Sequence, residues 1–200
     1  MTRLFDILLS LLGIIIFSPI WVLIVIGIAL DSKGPILFRQ RRVGKDGVEF
    51  KMFKFRTMRV NAEQKGYLTV GNEDSRITAF GCFLRRYKLD ELPQLLNVLR
   101  NDMSIVGPRP EVRKYVDLYK PEERAVLTVL PGITDFASVA FRNENDLLAK
   151  QQDPENYYIQ YIMPEKIRLN QTFISEPTAT NYFRVIILTL RKVFEPISRS

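Results

Sequence analysis

The sequence of 200 residues contains no histidine and a single cysteine, Cys82. Without histidine, a Ser-His-Asp triad, imidazole acid/base catalysis and nearly all zinc sites are excluded. One cysteine allows neither a disulfide within the chain nor a metal site built from several cysteines. Any chemistry must therefore use carboxylates, lysine, tyrosine, hydroxyl groups, or a hard cation held by oxygen ligands.

Positive charge is concentrated in one part of the chain. Residues 34–89 carry 13 Lys/Arg against 5 Asp/Glu, whereas residues 1–33 have no net charge and residues 90–200 have a net charge of −1. Such a basic segment suits an anionic partner, which is a lipid headgroup, a nucleotide diphosphate or a nucleic acid. A solvated basic face gives the same count, so charge alone does not choose among these interpretations.

The longest hydrophobic run spans residues 7–30, which are 24 consecutive residues without a charge. As a straight helix the run is about 36 Å long, enough to cross the core of a bilayer. Ser18 and Pro19 lie at its midpoint; the proline is expected to kink the helix there, and the Ser18 hydroxyl can satisfy a backbone group that the kink frees. Arg3 and Lys33 flank the run, which favours a re-entrant helix with both ends on the cytoplasmic side. A full span remains the alternative, because proline also occurs in spanning helices.

Beyond this run, residues 36–43 and 47–58 are predicted to be extended segments separated by a turn at 44–47. In the second segment, Lys54 and Arg56 continue an apolar face. Cations at such positions either meet an anion or carboxylate, or splay into solvent at the end of a strand.

Helices are predicted over about 75–87 and 90–100, with Asp90 capping the second helix and Pro93 in its first turn. The tail at 182–194 is apolar with three cations, which is typical of a helix lying at a membrane interface and also of an ordinary packing helix.

No repeat or interdomain linker is evident. We therefore expect a re-entrant membrane helix over residues 1–33 and a single cytoplasmic domain over residues 34–200, docked on the membrane. The fold class is α/β but mainly helical, with a small β-hairpin and surface helices at the membrane interface.

The adjacent acids Asp90 and Glu91, here called the acidic pair, have two interpretations. They open a predicted helix, where carboxylates are favourable as a cap and beside the helix dipole. The helix N-terminus is also an anion site, so a phosphate fits beside these carboxylates if a divalent cation screens them. Arg85, Arg86 and Lys88 directly precede the pair and add positive charge for such a phosphate.

Five motifs occur in a characteristic order: K-F-R-T-M at 54–58, D-S-R-I-T at 74–78, L-D-E-L-P-Q-L-L-N-V-L at 89–99, D-M-S-I-V-G-P-R-P-E at 102–111 and P-G-I-T at 131–134. Together with the Ser-Pro apolar helix, the sequence resembles the bacterial sugar transferase family over about residues 1–145. These are monotopic phosphoglycosyl transferases of the bacterial inner membrane that initiate glycan assembly on a polyprenyl phosphate, with the catalytic domain on the cytoplasmic face.

The resemblance implies roles for individual residues. Asp90 would be the nucleophile that attacks a UDP-sugar, forming a covalent phosphosugar-enzyme and releasing UMP before polyprenyl phosphate accepts the sugar phosphate. Glu91 would be the catalytic partner of Asp90, assisting metal binding or the incoming lipid phosphate, and both acids would bind Mg²⁺. Ser18-Pro19 would match the break of the re-entrant helix. The cations assigned to phosphate or nucleotide binding are Lys54, Arg56, Arg76, Arg85, Arg109 and Arg142.

The sequence departs from the family pattern after P-G-I-T. Many members continue with G-x-x-Q-V-x-G-R, whereas this chain reads D-F-A-S-V-A-F-R at 135–142 and keeps only the final arginine, Arg142. The sugar is therefore left open, as are the glycan pathway, the oligomeric state and the role of the chain from about Asp146. The competing hypothesis is a non-catalytic basic module tethered to the membrane. No recognised nucleic-acid module is present, so no nucleic-acid partner is expected.

Overall fold

The computed structural model describes residues 2–60, 62 and 74–195. This part of the chain is mainly helical, with two small two-stranded sheets, as the sequence predicts. The elements in chain order are α1 Thr2–Asp31, β1 Leu37–Val43, β2 Glu49–Phe55, α2 Ala79–Arg86, α3 Gln94–Leu99, β3 Ser104–Val106, α4 Arg113–Val116, β4 Gly132–Thr134, α5 Phe136–Ala140, α6 Glu144–Ala149, α7 Pro154–Tyr157, α8 Met163–Ser175 and α9 Ala179–Phe194.

Strands β1 and β2 form the predicted hairpin, in antiparallel register from Leu37 opposite Phe55 to Val43 opposite Glu49. The connection is a short 3-10 turn over Lys45–Gly47. Gly47 has φ +75° there, a left-handed conformation that glycine adopts without steric cost. The predicted pair of extended segments and the turn between them are confirmed.

The second sheet joins distant parts of the chain. Strands β3 and β4 are parallel, with Ser104 opposite Gly132 and Val106 opposite Thr134. A Cβ at Gly132 would lie 2.1 Å from the backbone nitrogen of Gly107, so the two backbones can approach this closely only without a side chain there. The sheet thereby brings the 107–110 segment against the residues that follow β4.

The predicted helix over 90–100 is wrong at its start. Residues Leu89–Glu91 form a 3-10 turn after Lys88, which has φ +57°, and α3 begins only at Gln94 with Pro93 as its N-cap residue. Asp90 is therefore not the cap of α3. The helix predicted from residue 75 likewise begins later, at Ala79, because the Thr78 hydroxyl accepts a hydrogen bond from the Gly81 N–H and caps it there.

Helix α1 continues without interruption through Pro19. The Ser18 hydroxyl donates a 2.8 Å hydrogen bond to the carbonyl of Ile15, which is the group that Pro19 has no N–H to bond. The predicted compensation by Ser18 is thus present, whereas the division into two half-helices stays a prediction. Among the described residues, α1 is the one helix long and apolar enough to cross a membrane.

Helix α1 contacts the rest of the molecule along its whole length. Near its start, the Arg3 guanidinium donates to the carbonyl of Val98 at 2.7 Å. In its second half, Trp21 packs edge-on against Phe55. At its end, the Asp31 carboxylate accepts a 3.2 Å hydrogen bond from the backbone N–H at the start of α2. Both ends of α1 therefore lie against the same domain.

The predicted tail helix is present as α9. Its buried face packs Tyr182 and Val185 against β3 and α8, while Phe183, Ile187 and Leu190 are exposed. The exposed residues recur at intervals of four and three, so they share one face of the helix.

Candidate active site

The acidic pair lies between β2 and the 107–110 segment, and Asn97 fixes this arrangement. Its side-chain oxygen accepts a 2.9 Å hydrogen bond from the Phe53 N–H, and its nitrogen donates a 2.8 Å bond to the carbonyl of Lys51. Asn97 is fully buried on α3, so it ties that helix to the edge of β2. As a result Lys54, the next residue of β2, faces Glu91.

Glu91 forms ion pairs with two cations. Lys54 Nζ lies 3.3 Å from Glu91 Oε1, and the Arg109 guanidinium binds both carboxylate oxygens, with Nη1 3.1 Å from Oε2. Burial raises the pKa of Glu91, but the charges of Arg109 and Lys54 outweigh it and hold that pKa well below the ordinary value. Burial lowers the pKa of Lys54 to about 8, although Glu91 opposes that shift.

The pKa of Asp90 is shifted in the opposite direction to that of Glu91. Asp90 is only 6% exposed, and its Oδ1 accepts no hydrogen bond from any described residue. Burial, together with the neighbouring charge of Glu91, raises the pKa of Asp90 above its ordinary value. A buried carboxylate with one oxygen free is a poorly solvated, nucleophilic group.

Arg109 is held rigidly by its own backbone and by its side chain. Its N–H donates a 2.8 Å hydrogen bond to Asp135 Oδ2, and Nη1 donates a 3.0 Å bond to the carbonyl of Ile133. Asp135 is 1% exposed and also accepts hydrogen bonds from Ser138 N–H, as the N-cap of α5, and from the Asn170 amide on α8. Prolines on both sides of Arg109 further restrict the segment.

A cavity of about 1240 Å³ opens onto these groups, lined by Lys54, Asp90, Glu91 and Arg109. Its volume lies above the usual range of pockets for small molecules, about 300–1,000 Å³, so it has room for more than a diphosphate.

Arg85 and Arg142, two of the other predicted phosphate-binding cations, line the same cavity as the acidic pair. Arg85 lines the same cavity, and its positive charge lowers the pKa of Asp90, against the net upward shift. Arg142 lines the cavity at its α9 side, where it donates a 3.0 Å hydrogen bond to the carbonyl of Glu195. These two positions are compatible with the predicted roles.

Arg56 and Arg76 have protein partners that the sequence did not indicate. The buried Arg56 donates from Nη2 to the carbonyl and hydroxyl of Ser32, just beyond the last residue of α1. Arg76 forms a bidentate ion pair with Asp74, with Nε 2.9 Å from Oδ1 and 3.0 Å from Oδ2. Their predicted role in phosphate binding stays a prediction.

Several residues that build the site were missed by the sequence reasoning. Asn97 and Glu111 lie inside motifs that were recognised but carried no individual role. Asp135 and Asn170 had no distinguishing signal, because their bonds to the site depend on contacts between segments far apart in sequence.

The residues of the acidic pair differ in how well they suit the implied Mg²⁺. Among the described residues no cluster of three or more metal-binding side chains occurs. Mg²⁺ is commonly bound by one or two carboxylates, with substrate phosphates and water completing the shell. Asp90, with its unbonded Oδ1, fits that pattern, whereas both oxygens of Glu91 already bind Lys54 and Arg109.

Comparison with known proteins places this arrangement in a family. The chain is 40% identical over 161 residues to UDP-glucose:undecaprenyl-phosphate glucose-1-phosphate transferase of Escherichia coli K12, covering 78% of this chain and 35% of that protein. It is 42% identical over 137 residues to UDP-N-acetylgalactosamine-undecaprenyl-phosphate N-acetylgalactosaminephosphotransferase of Aeromonas hydrophila, covering 67% and 32% of the two chains. The chain thus spans about a third of the length of these two curated relatives.

A shorter relative is also similar over most of its length. The putative undecaprenyl-phosphate N-acetylgalactosaminyl 1-phosphate transferase of Bacillus subtilis is 41% identical over 132 residues, which is 66% of this chain and 70% of that protein. The family model described as bacterial sugar transferase matches residues 1–196. The chain therefore belongs to the bacterial sugar transferase family.

Proposed function

We propose that the protein transfers a sugar phosphate from a UDP-sugar to a polyprenyl phosphate, with Asp90 as the nucleophile. The observation that carries the proposal is the environment of Asp90, a buried carboxylate with Oδ1 unbonded beside two fixed cations. The names of the relatives, which are undecaprenyl-phosphate sugar-phosphate transferases, support the same substrate classes.

In the first step Asp90 Oδ1 forms a bond to the β-phosphorus of the UDP-sugar. The bond from that phosphorus to the bridging oxygen breaks, and its electron pair leaves with UMP. In the second step an oxygen of polyprenyl phosphate attacks the same phosphorus, and the bond to Asp90 breaks to restore the carboxylate. Splitting one transfer in this way gives ping-pong kinetics.

The cations around Glu91 serve the first step. A carboxylate that attacks a diphosphate meets like-charge repulsion, and Lys54 and Arg109 provide positive charge next to Asp90 that offsets it. Glu91 keeps both cations in place through its two carboxylate oxygens. When bound beside the acidic pair, Mg²⁺ would supply further positive charge at the phosphate.

The position of α1 supports a re-entrant helix. About 45 Å of straight helix would place its two ends on opposite membrane faces if it crossed the bilayer. Instead, Arg3 and Asp31 at its two ends both bind the same domain. We infer that both ends lie on the cytoplasmic face of the inner membrane, with the exposed apolar side of α1 and the exposed face of α9 against lipid.

Asp90→Asn tests the nucleophile. It should abolish Mg²⁺-dependent release of UMP from a UDP-sugar in membranes, whereas Asp117→Asn, which changes an exposed acid directly after α4, should keep wild-type turnover. With UDP-sugar and no polyprenyl phosphate, mass spectrometry should find a phosphosugar on the peptide that contains Asp90. Full turnover by Asp90→Asn would show that this residue is not the nucleophile.

Topology is tested separately by cysteine labelling in a Cys82→Ser background. Thr2→Cys and Lys33→Cys report the two ends of α1, and Val48→Cys, on the exposed hairpin turn, reports the domain. In intact cells a membrane-impermeant thiol reagent should label none of the three, and permeabilised cells should label all. Labelling of one α1 end alone in intact cells would mean that the helix spans the membrane.

A further inference from the structure

One wall of the cavity carries a line of four charged side chains that have no part in the proposed phosphate chemistry. We call Arg42, Glu111, Lys166 and Glu144 the charged wall. Arg42 Nη1 lies 3.3 Å from Glu111 Oε2, and Lys166 Nζ lies 3.0 Å from Glu144 Oε2. All four line the same cavity as the acidic pair.

The wall is continuous with the catalytic cluster. Arg42 Nη1 donates a 3.1 Å hydrogen bond to the carbonyl of Pro110, the residue that follows Arg109. Further along the wall, burial raises the pKa of Glu111. The charges of Arg42 and Lys166 outweigh this effect, so that the pKa lies below its ordinary value. Glu111 is thus paired with Arg42, Lys166 is paired with Glu144, and Tyr158 contacts both pairs.

The wall is rigid but still accessible. Its side chains are between 13% and 23% exposed, so each retains some surface towards the cavity. Tyr158 braces it, because its hydroxyl donates to Glu111 and its ring lies 5.3 Å beneath the Lys166 ammonium. Tyr158 belongs to a single turn of π-helix over Tyr158–Ile162, a distortion that is frequent at functional sites.

The chemistry of the wall suits a hydroxylated ligand. A phosphate would be repelled by Glu111 and Glu144, whereas a sugar hydroxyl both donates and accepts hydrogen bonds and can bridge a carboxylate and a cation. The neighbouring rings of Tyr115 and Tyr158 are buried and offer no open face on which a base could stack.

The cavity also has an apolar side that faces the membrane helix. Leu37 and Leu92 line it and pack in the same cluster as Ile24 and Ile28 of α1. The lipid acceptor is expected to enter from that side, which leaves the charged wall for the donor.

We propose that the charged wall is the sugar-binding subsite of the donor and determines which UDP-sugar is used. This inference rests on the proposed function. The Lys166–Glu144 pair is its outer half and the part most directly available to a sugar hydroxyl.

The test uses Lys166→Met and Glu144→Gln in the full-length protein, with kcat/KM measured for UDP-sugars that differ in one hydroxyl or acetamido group. Each variant should lose about 10- to 100-fold in kcat/KM for the preferred sugar, which is the usual effect of losing a hydrogen bond to a charged group. The loss should be much smaller for the other sugars, so selectivity falls. Inhibition by UMP, which lacks the sugar phosphate that is transferred, should be unchanged.

Arg168→Met is the matched control, since Arg168 lies on the same helix in an exposed pair with Glu165. It should change neither selectivity nor UMP inhibition. Lys166→Arg should recover part of the selectivity, which a variant that is merely misfolded would not.

Three outcomes would overturn the proposal. Equal weakening of UMP inhibition and of every UDP-sugar would assign the wall to the nucleotide. Unchanged selectivity in both variants would make the Lys166–Glu144 pair purely structural and remove the part of the wall proposed to contact the sugar. If the wild-type protein released UMP from no UDP-sugar, the proposed function would fail and the subsite with it, whereas the first two results leave the function intact.

Discussion

Removing the charge of Glu91 should destabilise the protein far more than removing the charge of an exposed acid. Glu91→Gln leaves Arg109 and Lys54 without their shared counter-ion in a largely buried setting. Breaking a buried pair in this way costs about 3–5 kcal/mol. We expect the lower end, about 3 kcal/mol, because Lys54 already has a pKa of about 8 and can lose its proton.

The pH dependence of this loss has a definite sign. Burial keeps the pKa of Lys54 below that of the unfolded chain, and without Glu91 it falls further. In Glu91→Gln, the unfolded state then binds more protons at Lys54 than the folded state over a wider range of pH. The free energy of unfolding of the variant therefore rises with pH across that range. The difference in free energy of unfolding between wild type and Glu91→Gln should therefore become smaller from pH 6 to pH 9.

The assay is urea unfolding of the detergent-solubilised protein followed by circular dichroism and by fluorescence. Trp21 is the single tryptophan and packs against Phe55, so its emission reports the separation of α1 from β2. A loss of about 3 kcal/mol corresponds to a melting temperature lower by about 6–12 °C for a chain of this size.

Glu155→Gln is the control, because Glu155 pairs with Lys114 on the exposed surface and should lose at most about 1 kcal/mol. Adding Lys54→Met to Glu91→Gln should cost less than the two single losses together, since it removes the unpaired cation. Strict additivity, or a Glu91→Gln variant as stable as Glu155→Gln, would refute this reasoning.

Three further predictions concern the same site. The KM for the UDP-sugar should rise above pH 8 as Lys54 loses its proton, turnover should fall in acid as the carboxylate of Asp90 is protonated, and Lys54→Arg should remove only the alkaline effect. Asp135→Ala should lower kcat by releasing Arg109, whereas Asp153→Ala, which removes only the cap of α7, should cost about 1 kcal/mol of stability and leave kcat unchanged. Gly132→Ala should destabilise the protein by about 2–3 kcal/mol in thermal unfolding, because its Cβ would overlap the backbone opposite; unchanged melting would contradict the close contact of β3 and β4.

The parts of the fold that depend on neighbouring residues were predictable from the sequence. Alternation of apolar residues and a glycine-bounded turn were sufficient for the β1–β2 hairpin. The start of α3 was not predictable, because the left-handed backbone at Lys88 and the 3-10 turn after it precede a proline that tolerates either arrangement. A helix cap is inferred from neighbouring residues alone. Here Asp90, the residue predicted to be the cap, lines the cavity instead.

The site was predictable only as a set of residue types. Family motifs indicated Asp90, Glu91 and the cations, but not whether the partner of each cation is near or distant in the sequence. Arg109 meets a carboxylate 18 residues earlier, whereas Arg76 is paired with an acid two residues away. From the sequence alone, nothing about a basic residue in a motif shows whether it pairs with a distant carboxylate, as Arg109 does, or with a nearby one, as Arg76 does.

The K-F-R-T-M motif provides two cations that bind different parts of the molecule. Lys54 and Arg56 are two residues apart, so their side chains leave the same face of the extended chain. Lys54 binds Glu91, and Arg56 binds the backbone that follows the last turn of α1. Because a strand is nearly inextensible, the two contacts fix the distance between the end of α1 and the acidic pair. Arg56 is therefore required at this position for a structural reason as well as for its predicted phosphate contact, since it sets where the membrane helix ends relative to the nucleophile.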